Sequence, residues 1–161
     1  MLKEIGYNRE KAIQYAKQWA MGRNPRYMDF EYLGGDCTNF ASQCIFAGSG
    51  VMNYTPVMGW YYNSSSDRTP SWTGVEYLYN FLIKNKSVGP YAAKINQEEA
   101  QPGDIVQLGN RAGFYHSPVI VSVADGHILV AAHSIDAYMR PLDSYVYEKA
   151  RFLHIQGVRR W

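Results

Sequence analysis

The hydrophobic period of the chain changes once, near Gly103, and this change constrains the fold more than any other feature of the sequence. Before it, apolar residues recur at three- and four-residue spacing, the mark of helices with one buried face. Asn8 to Met21 carries Ala12, Tyr15, Ala16, Trp19 and Ala20 on one stripe, with Asn8 placed to cap and Gly22 to stop. A second apolar stripe of Phe40, Ala41 and Cys44 predicts a helix from about Cys37, ended by Gly48 and Gly50. A third helix is expected from Thr73 to about Lys84, burying Val75, Leu78 and Leu82. Thr73 with Glu76 reads as a capping box there, and Trp72 with Tyr77 as a hydrophobic staple. A polar linker with Gly89 and Pro90 follows.

After Gly103 the pattern is that of strands: GDIVQL, YHSPVIVSV, HILVAAHS and RFLHIQGV. Ala124-Asp125-Gly126 is a hairpin signal between the second and third. Pro118 cannot donate to a ladder, so its strand is expected at an edge or bulged. Helices first and antiparallel strands second is α+β organisation. The expected fold is a set of N-terminal helices packed on a small C-terminal antiparallel sheet. With 161 residues, one domain over 1–161 suffices.

The stretch GGDCTNFASQC, Gly34 to Cys44, is where chemistry is expected. Asp36 is placed as N-cap, its carboxylate accepting the N–H of Asn39. Cys37 then lies in the first helical turn, where the helix dipole favours a thiolate. The neighbouring negative charge of Asp36 works against it, so a nucleophilic Cys37 needs a histidine nearby. The two cysteines lie on one helix, roughly 10 Å apart at the ordinary helical rise, too far for a disulfide. Cys44 is expected to be a free structural thiol. No Cys/His spacing suits zinc, and no metal or cofactor is expected.

This eleven-residue run resembles the start of the putative amidase domain family, related to papain-like cell-wall hydrolases of the CHAP and NlpC types. GDIVQ, Gly103 to Gln107, and the His-Ser pair at His116 are similar to further parts of its pattern. The resemblance implies a papain-like fold, with the cysteine on a helix and its histidine on the following sheet. It implies Cys37 as nucleophile, His116 as base, and an orienting group in the run from His133 to Asp136. His133 is favoured, because residues opposite His116 lie near the end of the third strand. Asp136, just beyond, is the alternative or a support. The implied substrate is bacterial peptidoglycan, cleaved at an amide bond through an acyl-enzyme. The long segment Val51 to Ser71 carries Trp60, Tyr61 and Tyr62, and Trp60 and Tyr61 are candidates for a substrate platform.

A net charge of +2 with no Lys/Arg cluster gives no case for nucleic acid. No apolar run reaches membrane-spanning length and no signal peptide opens the chain. Action on the cell wall then implies phage-type release or a place within a longer secreted protein, with the chain working as a monomer. Two other readings are a papain-like enzyme acting on another amide, such as a toxin, effector protease or transferase, and an inactive wall-binding module.

Overall fold

The computed structural model describes residues 1–161 as helices packed on one large, curled antiparallel sheet. The first helix, α1 (Arg9–Trp19), begins as its sequence dictates, with the Asn8 side chain accepting the Lys11 N–H at 3.0 Å. Ala12 and Ala16 let it lie close on α2 (Cys37–Ser49), which is buried along most of its length. Gly50 ends α2 in the left-handed conformation. Next come a two-stranded hairpin, β2 (Tyr62–Ser64) with β3 (Asp67–Arg68), a single helical turn α3 (Pro70–Thr73), and α4 (Val75–Lys84).

The expected capping box of α4 does not form. Gly74 occupies the N-cap, and the Thr73 hydroxyl instead accepts from Arg68 Nε at 3.3 Å. Glu76 pairs outward with Arg151 at 2.8 Å. The buried face is Leu78, Phe81 and Leu82, while Val75 is only half-buried.

The sheet is large rather than small, with eight strands. Besides the expected β5 (Ile105–Asn110), β7 (Val119–Ala124), β8 (His127–Ala132) and β10 (Lys149–Arg160), it includes β1 (Lys3–Ile5), β4 (Gly89–Ile95), β6 (Gly113–His116) and β9 (Ala137–Pro141). The path runs β1-β10-β5-β7-β8-β9, with β4 also on β10 and β6 also on β5. The stretch expected as a linker at Gly89 is therefore a strand, made so by β10, twelve residues long and able to pair with β1, β4 and β5. Asp125 and Gly126, at φ of 52° and 76°, make the tight turn that the sequence announces between β7 and β8.

The expected YHSPVIVSV strand is split. Ser117 and Pro118 leave the ladder, so β6 and β7 pair β5 separately, and the register shifts beside His116. Pro118 keeps contact through its carbonyl, which accepts the Val106 N–H at 3.0 Å. One core lies between helices and sheet, around Phe40, Cys44, Ile45, Trp60, Trp72 and Leu78. A second lies on the other side of the sheet, around Val106, Leu108, Ile120, Val130 and Phe152. Buried apolar area of this kind supplies most of the driving force for folding.

Candidate active site

The chain enters α2 through Gly34 and Gly35, both at φ near +100°, a conformation that favours residues without a Cβ. The next residue, Asp36, is fully buried and does not cap the helix. Its Oδ1 accepts from the Phe30 N–H at 2.8 Å and from the side-chain amide of Asn39 at 2.9 Å. Its Oδ2 meets His133 Nδ1 at 2.5 Å. The expected bond to the backbone of Asn39 is thus replaced by one to its side chain, because Asp36 turns inward to tie the loop to the sheet. Burial pushes the Asp36 carboxyl up, but bonds from His133, Asn39 and Phe30 outweigh it and hold the carboxyl below its usual value.

Cys37 is buried at 8% exposure, and no disulfide joins it to Cys44. Its Sγ lies 3.7 Å from Thr38 Oγ1 and 3.9 Å from the carbonyl oxygen of Tyr115, the residue before His116. Burial raises the Cys37 pKa. Hydrogen bonds from Thr38 and from backbone groups of Ser117 and Thr38 oppose the rise, and the Asp36 charge adds to it. At neutral pH the resting group is a thiol.

His116 ends β6 opposite Leu108, and its ring packs against Tyr145 at 5.5 Å between centroids. Tyr145 packs on the second core, so the imidazole rests on the sheet face away from α2. Burial lowers its pKa to about 4, with the Arg140 charge adding to the effect. His116 is therefore a neutral imidazole at pH 7. Its strand backbone touches the Cys37 sulfur, while no hydrogen bond joins its ring to the thiol.

Neither candidate for the orienting group bonds to His116. The His133 ring lies under Phe40, stacked at 4.1 Å, and is 1% exposed. Besides Asp36 it meets the carbonyl of Trp19, through Nε2 at 2.9 Å. Both ring nitrogens are thus engaged, and neither is free for His116. Asp136 is held by Arg23 in a two-toothed pair at 2.8 and 3.1 Å. Arg23 also lies 3.2 Å from Asp29, 3.6 Å from Glu31 and 3.6 Å from Asp36. His133 and Asp136 thus fasten the loop before α2 to the end of β8 and to the chain beyond α1.

The expected platform residue Trp60 is corrected by its burial. It is fully enclosed, donates from Nε1 to Ser42 Oγ at 3.1 Å, and packs on Trp72 and Phe81. It belongs to the core because the segment around it folds back through a bridge between Asn53 and Trp60. Tyr61 is half-buried, bonded to Asp67 at 3.0 Å and packed on Tyr54.

Three residues that the sequence did not single out belong to the site. Ser134 accepts the Asp36 N–H at 2.9 Å and donates to Glu31 at 3.2 Å. Ser134 and Ile135 both have positive φ, 63° and 65°, which is strained for a β-branched residue. The His-Ser-Ile-Asp run was the available signal, but only its end residues carry obvious chemistry. Ser117 and Gln107 are the other two. Ser117 Oγ lies 3.1 Å from Thr38 Oγ1 and 3.1 Å from Gln107 Nε2. Leu33, Tyr115 and Ile135, each within two residues of a bonded group of the site, are exposed.

No group of three or more His, Cys, Asp or Glu side chains converges to hold a metal ion. No helix is long and apolar enough to cross a membrane. A cavity of about 450 Å³ opens between the Asn53–Gly59 segment and α4, and none of its lining residues belongs to the Cys37 site.

Among known proteins, the chain is similar to Uncharacterized protein YhbB of Bacillus subtilis (strain 168), with 34% identity over 140 residues. That match covers 83% of this chain and 43% of the relative. Uncharacterized protein YjcM of the same strain is 21% identical over 163 residues, covering 96% of this chain and 37% of its own length. The chain therefore spans about two-fifths of the length of these relatives. No solved structure matches it. The model of the Putative amidase domain matches residues 6–156, the loop, helix and sheet that build the Cys37 site included, and the chain belongs to that family.

Proposed function

We propose that the chain is a cysteine-dependent hydrolase that cleaves an amide bond in peptidoglycan. The observation that carries this reading is the surroundings of Cys37. The sulfur stands at the first turn of a buried helix, after two glycines in left-handed conformations, with the backbone of the His116 strand 3.9 Å away. Because Asp36 is bonded elsewhere, no carboxylate caps the N–H groups of that first turn. With the Thr38 N–H turned to the sulfur, the Cys37 N–H is the first-turn donor offered to the oxyanion of a tetrahedral intermediate.

In this mechanism His116 leaves its packing on Tyr145 as substrate binds, and accepts the Cys37 proton. Because both the imidazole and the thiol rest neutral, this is a general-base step rather than a resting ion pair. The sulfur then attacks the amide carbonyl, His116 returns the proton to the leaving amine, and water releases the acyl group. His133 serves as a positioning residue through Asp36, with Asp136 supporting it through Arg23. The exposed Leu33, Tyr115 and Ile135, with Tyr61 farther along the chain, offer apolar contacts to the substrate.

The substrate class rests on the family resemblance; action on another amide, or wall binding without turnover, is what the experiment must exclude. Purified cell walls are incubated with the protein, and new amino groups and fragment masses are recorded. Release of amide-cleavage fragments by the wild type, lost in Cys37→Ala with an unchanged melting temperature, is the expected result. Equal release by Cys37→Ala would overturn it, and wall binding without fragments would favour the binding module.

A further inference from the structure

A chain of buried hydrogen bonds leads from the surface ion pair of Glu76 and Arg151 to the Cys37 sulfur, and its protons have one consistent direction. Arg151 can only donate, and its Nε gives to Gln107 Oε1 at 2.8 Å. That fixes the amide of Gln107, whose Nε2 gives to the Val75 carbonyl at 3.0 Å and to Ser117 Oγ at 3.1 Å. A flipped amide would set oxygen against the Val75 carbonyl and nitrogen against Arg151.

Ser117 is fully buried, and the only acceptor left for its own hydrogen is Thr38 Oγ1, 3.1 Å away. Leaving that hydrogen unpaired in the interior would cost the desolvation of a hydroxyl. Thr38 Oγ1 is then the receiver from Ser117, and its own hydrogen has Cys37 Sγ as partner at 3.7 Å. The thiol hydrogen is directed to the Tyr115 carbonyl.

We propose that Thr38, Ser117, Gln107 and Arg151 form a polarised relay that makes the Thr38 hydroxyl an obligate donor to the Cys37 thiolate. The inference rests on Cys37 as the reacting sulfur and goes beyond that reading by assigning what stabilises its ionised form. On ionisation the bond to Tyr115 is lost and the one from Thr38 strengthens, because a charged acceptor binds a donor more tightly. Gln107 and Ser117 are positioning residues acting through Thr38. The titratable and charged groups around the sulfur are Asp36 before it, with His133 and Arg23 paired to that carboxylate, the neutral His116 on β6, and Arg151 with Glu76 at the far end of the relay. Of these only Arg151 acts through the relay.

The test uses iodoacetamide on the intact chain, with labelling of Cys37 followed by peptide mass spectrometry across pH. Thr38→Val removes the donor with little change of shape, and its labelling midpoint is expected to move upward, with roughly tenfold slower labelling at neutral pH. Thr38→Ser is expected to restore the wild-type profile. Gln107→Glu replaces the donor to Ser117 by an acceptor and reverses the relay, so it is expected to shift the midpoint in the same direction as Thr38→Val. Ser117→Ala reads the same link without a new buried charge and is expected to give a smaller shift of that sign. Melting temperatures identify any variant that fails to fold. A Thr38→Val profile that superimposes on the wild type would overturn the donor assignment. A shifted Thr38→Val with unshifted Gln107→Glu or Ser117→Ala would overturn the relay. Hydrolysis plays no part in the readout, so a chain that shows these shifts but cleaves no wall material would count against the hydrolase and leave the relay standing.

Discussion

Two histidines differ sharply in their surroundings at the residue scale. His116 is buried next to Tyr145 and near the Arg140 charge, and it stays neutral down to about pH 4. As the base of the proposed reaction, His116 should keep kcat/KM high well below the usual histidine range, with the acidic limb near pH 4 instead of near 6.5. A limb near 6.5 would show that His116 is solvated in the working enzyme. The same burial acts on stability. The unfolded chain protonates His116 below about 6.5 while the native one resists until about 4, so native stability falls as pH drops through that window. The loss is about 3 kcal/mol at most from a depression of this size. His116→Asn should flatten this part of the stability curve, as measured by denaturant unfolding at pH 7 and pH 4.5. His133 has both nitrogens committed, to Asp36 and to Trp19. We expect His133→Ala to lower turnover and melting temperature together, because it leaves the buried Asp36 without its strongest partner. His116→Ala should remove turnover and leave the fold standing.

At the scale of elements, the segment between α2 and α4 is the part whose role changed most. Its length and aromatic content suggest a substrate platform, yet Trp60 lies wholly inside, between Trp72 and Phe81. Deleting such a ring costs about 3–5 kcal/mol through lost burial and an unfilled cavity. Trp60→Ala should therefore lower the melting temperature sharply, with turnover per folded molecule little altered. A stable variant with weak turnover on walls would return Trp60 to the substrate. The strand bearing His116 was likewise legible only in part. Pro118 announced an irregularity, and the structure places the break one residue earlier as well, at Ser117, whose hydroxyl is needed by Thr38 and Gln107 instead of by a ladder.

For the molecule as a whole, Asp104 joins the two halves that the sequence keeps apart. It is fully buried between α1 and the sheet, bonded to Arg9 at 2.8 Å, to the Ile155 N–H at 3.0 Å and to the Gln101 N–H at 2.9 Å. Arg9 in turn gives to the carbonyls of Pro102 and Ile155. Asp104→Ala leaves a partly buried guanidinium and two backbone donors without their acceptor. Breaking a buried pair in this way costs about 3–5 kcal/mol. Urea unfolding should show a loss on that order, and a change below about 1 kcal/mol would mean that helix and sheet are held by apolar packing alone.

Local sequence determined what depends on near neighbours in the chain. The start of α1 at Asn8, the course of α2, the turn at Asp125-Gly126 and the position of Cys37 in a first helical turn all follow from capping residues, period and glycine placement. Tertiary structure decided what depends on partners far along the chain. β4 is a strand only because β10 lies beside it, and β1, three residues with two charges, and β9, five residues ending in Pro141, are too short to be read without their neighbours. Asp36 has the residue type and position of a helix cap, but His133, ninety-seven positions away, and Phe30 compete for its carboxylate. Which face of the sheet the His116 ring occupies is set by the packing of Tyr145 and by the break at Ser117-Pro118. Hydrophobic period records which face of an element is buried. It holds no information on which distant polar group will reach a buried one first, and that competition is what arranged the site.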